Sequence, residues 1–339
     1  MTRLAAIFGC GGPRLTREEA AFFRETRPWG FILFGRNVET PDQVRALVEA
    51  LRETVGEVAA PVLIDQEGGR VQRLKAPHWP AYPPGRTYGA LAGDDAELSE
   101  IAWLGARLIA SDLSGVGINA DCAPVLDVPA AGSHDVIGDR AYGDTPVVVA
   151  MLGRAFAEGL MAGGVLPVMK HMPGHGRAHA DSHHHLPEVD ETRAALARDF
   201  APFRANADLP AAMTAHVVYR AIDPDHPATT SKIAIEDVIR RDVGFDGLLM
   251  TDDLSMKALS GGFGDRARDA LAAGCDVVLH CNGDMSEMQA VAAGAAPLAG
   301  KSARRAEAAL SRIAKGAESF DVEEGRARFA AAFQGRWAA

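Results

Sequence analysis

Cysteine is scarce in this chain: Cys10, Cys122, Cys275 and Cys281 are the only thiols among 339 residues, and no two stand in CxxC spacing. That excludes a disulfide framework and cysteine-based zinc motifs, so free thiols in a reducing compartment are expected, with the cytoplasm as default location. No run approaches the roughly 18 consecutive apolar residues that a membrane-spanning helix requires. The opening MTRLAAIFGCGG imitates a signal peptide only faintly, because charged TREEAAFFRETR follows at once, and it reads as a first strand. There is no basic stripe either: the net charge is −10, and Lys and Arg are scattered. Neither nucleic acid nor a membrane surface is therefore an expected partner. Also missing are G-x-S-x-G, the Walker loop and the dinucleotide fingerprint, which the glycines at 9 to 12 do not match. Pro/Gly linkers, internal repeats and low-complexity segments are not found.

What the chain does hold is 47% hydrophobic residues, enough for a large core in one big α/β domain or two average ones. Eight short apolar runs alternate with helix-like segments: 4–9, 30–35, 61–65, 118–128, 165–171, 211–218, 247–253 and 276–281. Their hydrophobicity is continuous rather than alternating, as in parallel strands covered on both faces. A single-domain (β/α)8 TIM-type barrel is the expected fold, with a doubly wound sheet as the alternative. Helix starts are marked by Thr16 with Glu19, Thr40 with Pro41 and Gln43, and Asp284 with Glu287. Beyond 284 the sequence is Ala- and Arg-rich, so residues 1–339 read as one catalytic barrel with a C-terminal helical tail.

In such a barrel the chemistry sits at the carboxyl ends of the strands. VIRRDVGFDGLLMTDDLS (238–255) ends a strand on Asp252 and Asp253, of which the pleat should aim only one at the pocket; a cap for a helix over LSMKAL is the bland reading. IDQEGGRVQRL (64–74) puts Asp65 at a strand end with Arg70 and Arg73 after a Gly68-Gly69 turn, either a grip for vicinal hydroxyls or a loop ion pair. Arg140, in VIGDRAYG, could equally pair with Asp139. Lys170 closes the fifth run and is one of six lysines, costly to desolvate unless it binds something; His171 beside it could be a satisfied core residue. The series His171, His175, His179, His183, His184, His185 invites a zinc site, but Pro173, Gly174 and Gly176 break the helix that would align it, so no metal is expected. Asp181-Ser182-His183 remains as a carboxylate able to orient an imidazole in a turn.

Together VIRRDVGFDGLLMTDDLS, KHMPGHG with DSHHHLP, and IDQEGGRVQRL resemble glycoside hydrolase family 3, in particular its single-domain β-N-acetylglucosaminidases of the NagZ type, over about residues 30–285. The likeness implies a retaining exo-β-N-acetylglucosaminidase with Asp252 as nucleophile and the Asp181–His183 dyad as acid/base. Asp65, Arg73, Arg140, Lys170 and His171 would bind the sugar. It further implies no cofactor, a saccharide or muropeptide as partner, and a role in peptidoglycan recycling in the cytoplasm; a monomer is the default. Met172, Arg177, His184 and His185 depart from the family's pattern, none at a catalytic position. A histidine avoids a second anion near Asp252, and its ordinary pKa near 6.5 suits both proton transfers. Phosphorolysis, β-glucosidase activity, a metal-dependent hydrolase and a catalytically silent sugar-binding barrel are the rival readings.

Overall fold

A computed structural model describes residues 2–132, 134–178 and 186–335. Each of the eight apolar runs becomes a strand: β1 (Leu4–Phe8), β2 (Pro28–Leu33), β3 (Val62–Ile64), β4 (Ala120–Asp121), β5 (Leu166–Met172), β6 (Ala211–Thr214), β7 (Leu248–Asp253) and β8 (Val277–His280). They close into one barrel in chain order, β8 pairing back onto β1 through Ala6↔Val278 and Phe8↔His280. Every pairing around the ring is parallel, the arrangement of a (β/α)8 barrel, which sets all strand carboxyl ends on one rim.

One face of every strand fills the barrel: Ile7, Ile32, Leu63, Val168, Met250 and Leu279 belong to a single buried cluster, continued by Leu298, Ala306 and Ala309 beneath. The other face packs on the helices, where Phe8, Phe31, Ile64, Met169 and Leu249 join a second, larger cluster. After the strands come α1 (Arg17–Thr26), α2 (Pro41–Val55), α3 (Asp95–Ser114), α4 (Pro146–Ala162), α5 (Arg193–Ala205), α6 (Ala234–Asp242), α7 (Phe263–Ala273) and α8 (Met285–Gly294). The helix-start signals act as read: Thr16 and Glu19 form a reciprocal capping box, Thr40 accepts from the Gln43 N–H ahead of Pro41, and Asp284 accepts from Glu287 N–H. Between α3 and α4 the contact is backbone-close, because a side chain at Gly159 would meet the Trp103 carbonyl at 2.3 Å.

Beyond 284 the chain forms three helices: α8 completes the β/α alternation, and α9 (Gly300–Ser311) and α10 (Val322–Ala332) follow. One expectation changes. LSMKAL is not a helix; residues 254–260 are turns, and α7 begins at Phe263. Among the described residues no helix is long and apolar enough to cross a membrane.

Candidate active site

Beyond β3 the chain makes a tight hairpin, Gln66–Gly68 against Val71–Gln72. Gly68 adopts φ +98°, and a Cβ there would sit 2.3 Å from the Pro83 carbonyl, so glycine is required. The Gln66 side-chain oxygen accepts from the N–H groups of Arg73 (2.8 Å) and Leu74 (3.0 Å), which turns Arg73 back onto Asp65 at 3.0 Å. Lys170, at the end of β5, reaches the other Asp65 oxygen at 2.9 Å and Glu67 at 2.7 Å. Arg140 clasps Glu67 with two bonds, 2.9 and 2.8 Å, while Asp139, its sequence neighbour, pairs with Arg70 at 2.9 Å. The surface pair Arg140–Asp139 is thereby replaced by a buried one.

These ionic contacts decide the protonation states. Burial disfavours the Asp65 and Glu67 anions, but Lys170 and Arg73 hold Asp65 well below the usual carboxylate range, and Arg140 with Lys170 brings Glu67 down to about 2. Burial likewise opposes the Lys170 ammonium, and Asp65 and Glu67 outweigh it, so Lys170 stays charged.

His171 is held differently. Its Nδ1 lies 2.7 Å from Asp127 Oδ2, and the other Asp127 oxygen accepts from His175 N–H at 2.6 Å. Asp127 is fully buried; although burial raises its carboxyl, His171 and His175 bring it below its ordinary value. With Asp127 on Nδ1, the Nε2 of His171 is left for the cavity. His175 is itself buried, which pushes its imidazole down to about 4 and keeps it neutral.

On β7, the register against β8 shifts between Met250 and Asp253. This is why Asp252 and Asp253 both border the same cavity instead of facing opposite ways. Their carboxylates differ in use. Asp253 accepts from the N–H groups of Ser255 (2.9 Å) and Cys281 (3.0 Å), tying the turn to β8. Asp252 accepts only the Asp253 N–H, at 2.8 Å, among the described residues. Burial would raise the Asp252 carboxyl, but His216 and His171 outweigh it and lower it, so the group is ionised. His216 lies just past β6, its Nε2 donating to the Asp253 carbonyl at 2.9 Å and its Nδ1 2.7 Å from the Thr229 hydroxyl.

A cavity of about 150 Å³ unites these groups: Asp65, Arg73, Arg140, Lys170, His171 and Asp252 line it, with Phe34, Met213, Met256 and Leu279 as apolar wall. Six residues singled out in the sequence thus converge on one hollow at the carboxyl rim. Asp181 and His183 lie outside the described residues. Sequence reasoning missed Glu67, Asp127 and His216, and it dissolved His175 into a loop that is in fact buried here. A signal existed for three of them: Glu67 is two residues past Asp65, and Asp127 and His216 stand at the ends of the fourth and sixth apolar runs. Among the described residues no three His, Cys, Asp or Glu side chains are grouped to hold a metal ion. Ionised carboxylate, fixed cations and an imidazole oriented by Asp127 in a small polar hollow suit recognition of a hydroxyl-rich ring and attack upon it.

The profile of the glycosyl hydrolase family 3 N terminal domain matches residues 5–315. The chain belongs to glycoside hydrolase family 3. Curated members of the family resemble it along most of their length: the beta-hexosaminidase of Alkalilimnicola ehrlichii is 41% identical over 281 residues, 81% of this chain and 80% of that protein. The beta-hexosaminidase of Methylococcus capsulatus is 40% identical over 283 residues, 81% and 82% of the two chains. Among solved family 3 structures, NagZ from Neisseria gonorrhoeae in complex with N-trifluoroacetyl-D-glucosamine superposes with a TM-score of 0.86 at 32% identity, covering 98% of both chains. This family 3 enzyme is a glycoside hydrolase, a β-N-acetylhexosaminidase, and its substrate is a saccharide.

Proposed function

We propose that the enzyme is a retaining exo-β-N-acetylglucosaminidase acting through a covalent glycosyl-enzyme on Asp252. One observation carries this reading: of the carboxylates lining the cavity, Asp65 is bound by Lys170 and Arg73 and Asp253 by two backbone N–H groups, whereas Asp252 takes a single N–H and is ionised. An anion held so sparingly is the nucleophile available to an anomeric carbon. In the first step an Asp252 oxygen bonds to C1 while the bond from C1 to the leaving oxygen breaks, and His183 gives that oxygen its proton. In the second, His183 takes a proton from water, which attacks C1 and frees Asp252. Asp181 orients the imidazole and favours its charged form. Asp65, Arg73, Arg140, Lys170 and His171 grip the sugar's hydroxyls.

A route using the substrate's own acetamido oxygen calls for two acids converging on the sugar, and Asp253, spent on Ser255 and Cys281, is a poor second acid. The substrate we infer is a terminal β-linked N-acetylglucosamine on peptidoglycan fragments, N-acetylglucosaminyl-1,6-anhydro-N-acetylmuramic acid and its peptides, in cytoplasmic recycling. Support comes from the beta-hexosaminidase relatives and from the neisserial NagZ, crystallised with N-trifluoroacetyl-D-glucosamine.

The decisive comparison sets an aryl β-N-acetylglucosaminide against an aryl β-glucoside, using wild type and Asp252→Ala. Turnover of the first substrate alone is expected, with a loss of about 1,000-fold or more in the variant. Retained turnover in Asp252→Ala would remove the nucleophile assignment. Product run in phosphate buffer should be free sugar of β configuration at first, and a sugar 1-phosphate would instead mark a phosphorylase.

A further inference from the structure

Glu67 is buried at 7% exposure and does not itself line the sugar cavity, yet its carboxylate binds two residues that do. Its Oε1 accepts from Lys170 Nζ at 2.7 Å and from Arg140 at 2.8 Å, and its Oε2 accepts from Arg140 Nε at 2.9 Å. The donors can be counted. An ammonium has three N–H groups; Lys170 gives one to Glu67 and one to Asp65, which leaves one for the cavity. A guanidinium has five; Arg140 gives two to Glu67 and one to the Val136 carbonyl, which leaves two. The bidentate grip also fixes the plane of the guanidinium, so the remaining N–H groups have a set direction. Three cations, Arg73, Arg140 and Lys170, face the anions Asp65 and Glu67.

We propose that Glu67 is a positioning residue for the glycosidase reaction: from behind the cavity it holds Lys170 and Arg140 so that their uncommitted N–H groups meet the hydroxyls of the sugar. The proposal rests on the reading of Lys170 and Arg140 as sugar-binding residues. Without the Glu67 anion, Arg140 loses its bidentate partner, and Asp65 is an anion in the cavity wall on which it can settle. Arg140 would then occupy hydroxyl-binding capacity that the substrate needs. The damage falls on substrate binding, since neither group touches the breaking bond.

Glu67→Gln preserves volume and one acceptor oxygen while placing an N–H donor against cations. Its KM for the aryl β-N-acetylglucosaminide should rise by about 10- to 100-fold, with kcat changed far less. In an Arg140→Ala/Lys170→Ala background, Glu67→Gln should bring no further loss, because its partners are already gone. Glu67→Asp, which keeps the charge but is one methylene shorter, should recover part of the KM and serves if the amide variant does not fold. A wild-type KM in Glu67→Gln, while Arg140→Ala and Lys170→Ala each raise it, would overturn the positioning role alone. So would losses that simply multiply in the triple variant. Wild-type KM in both Arg140→Ala and Lys170→Ala would overturn the sugar-binding reading, and this proposal with it.

Discussion

Asp121 is a carboxyl that no side-chain cation claims. It is fully buried at the end of β4, one oxygen accepting the Gln66 N–H at 2.9 Å and the other without a hydrogen-bond partner among the described residues. Burial, with the Asp65 and Glu67 anions nearby, pushes its pKa up to about 8 against the opposing Gln66 N–H and Lys170. Glu67 and Asp127, also buried, and Asp65 in the cavity wall go the opposite way because each has a basic partner in contact. Since the folded form of Asp121 keeps its proton where the unfolded form has lost it, stability falls as pH rises from about 4 to about 8. Asp121→Asn keeps the acceptor and cannot ionise. It should be more stable than wild type at pH 8.5, by on the order of 1–3 kcal/mol, and the advantage should shrink toward pH 5 in urea titrations. Strand-end residues such as Asp65, Lys170 and Asp252 were legible in the sequence because they interrupt apolar runs. The identity of their partners was not: Arg140 and Glu67 are 73 residues apart, and Asp139 was the nearer candidate.

The strands were legible as elements for the same reason that they are stable, since a parallel strand under helices must be apolar on both faces. The turn at 254–260 was not legible. Its composition suits a helix, but Leu254 N–H donates to the Leu279 carbonyl, Met256 N–H to the Asp253 carbonyl, and Arg266 to the Leu254 carbonyl. Contacts to β8 and α7 thus override local preference. Helix contacts make their own demands. Gly159→Ala would gain roughly 1 kcal/mol in helix propensity. It would also drive a methyl into the Trp103 carbonyl at 2.3 Å and to 2.9 Å from the Ala106 methyl, neither of them on a side chain that can swing away. The net expectation is a loss of about 1–3 kcal/mol in urea unfolding, with KM unchanged because α3 and α4 lie outside the cavity.

Over the whole molecule, three deeply placed histidines set the acid limit. His175, His216 and His280 are buried, and burial lowers each pKa, His175 to about 4. His280 has no hydrogen bond at either ring nitrogen among the described residues, though Asp253 and Glu287 lie 4.0 and 3.5 Å away. A lowered folded pKa means that the unfolded chain binds more protons below about 6.5, so stability declines as pH falls from there toward about 4. The urea midpoint should drop between pH 7 and pH 5, and His280→Leu should flatten that drop; an unchanged slope would place the proton uptake elsewhere. The same parallel ring sets the opposite rim away from the cavity. Val58, 90% exposed in the connection that precedes β3, lies on that far side, and all four native thiols are buried. Val58→Cys therefore offers a chemical handle for tethering the enzyme to a support with its mouth facing the liquid, and an immobilised sample should turn over aryl substrate at the rate of the free protein.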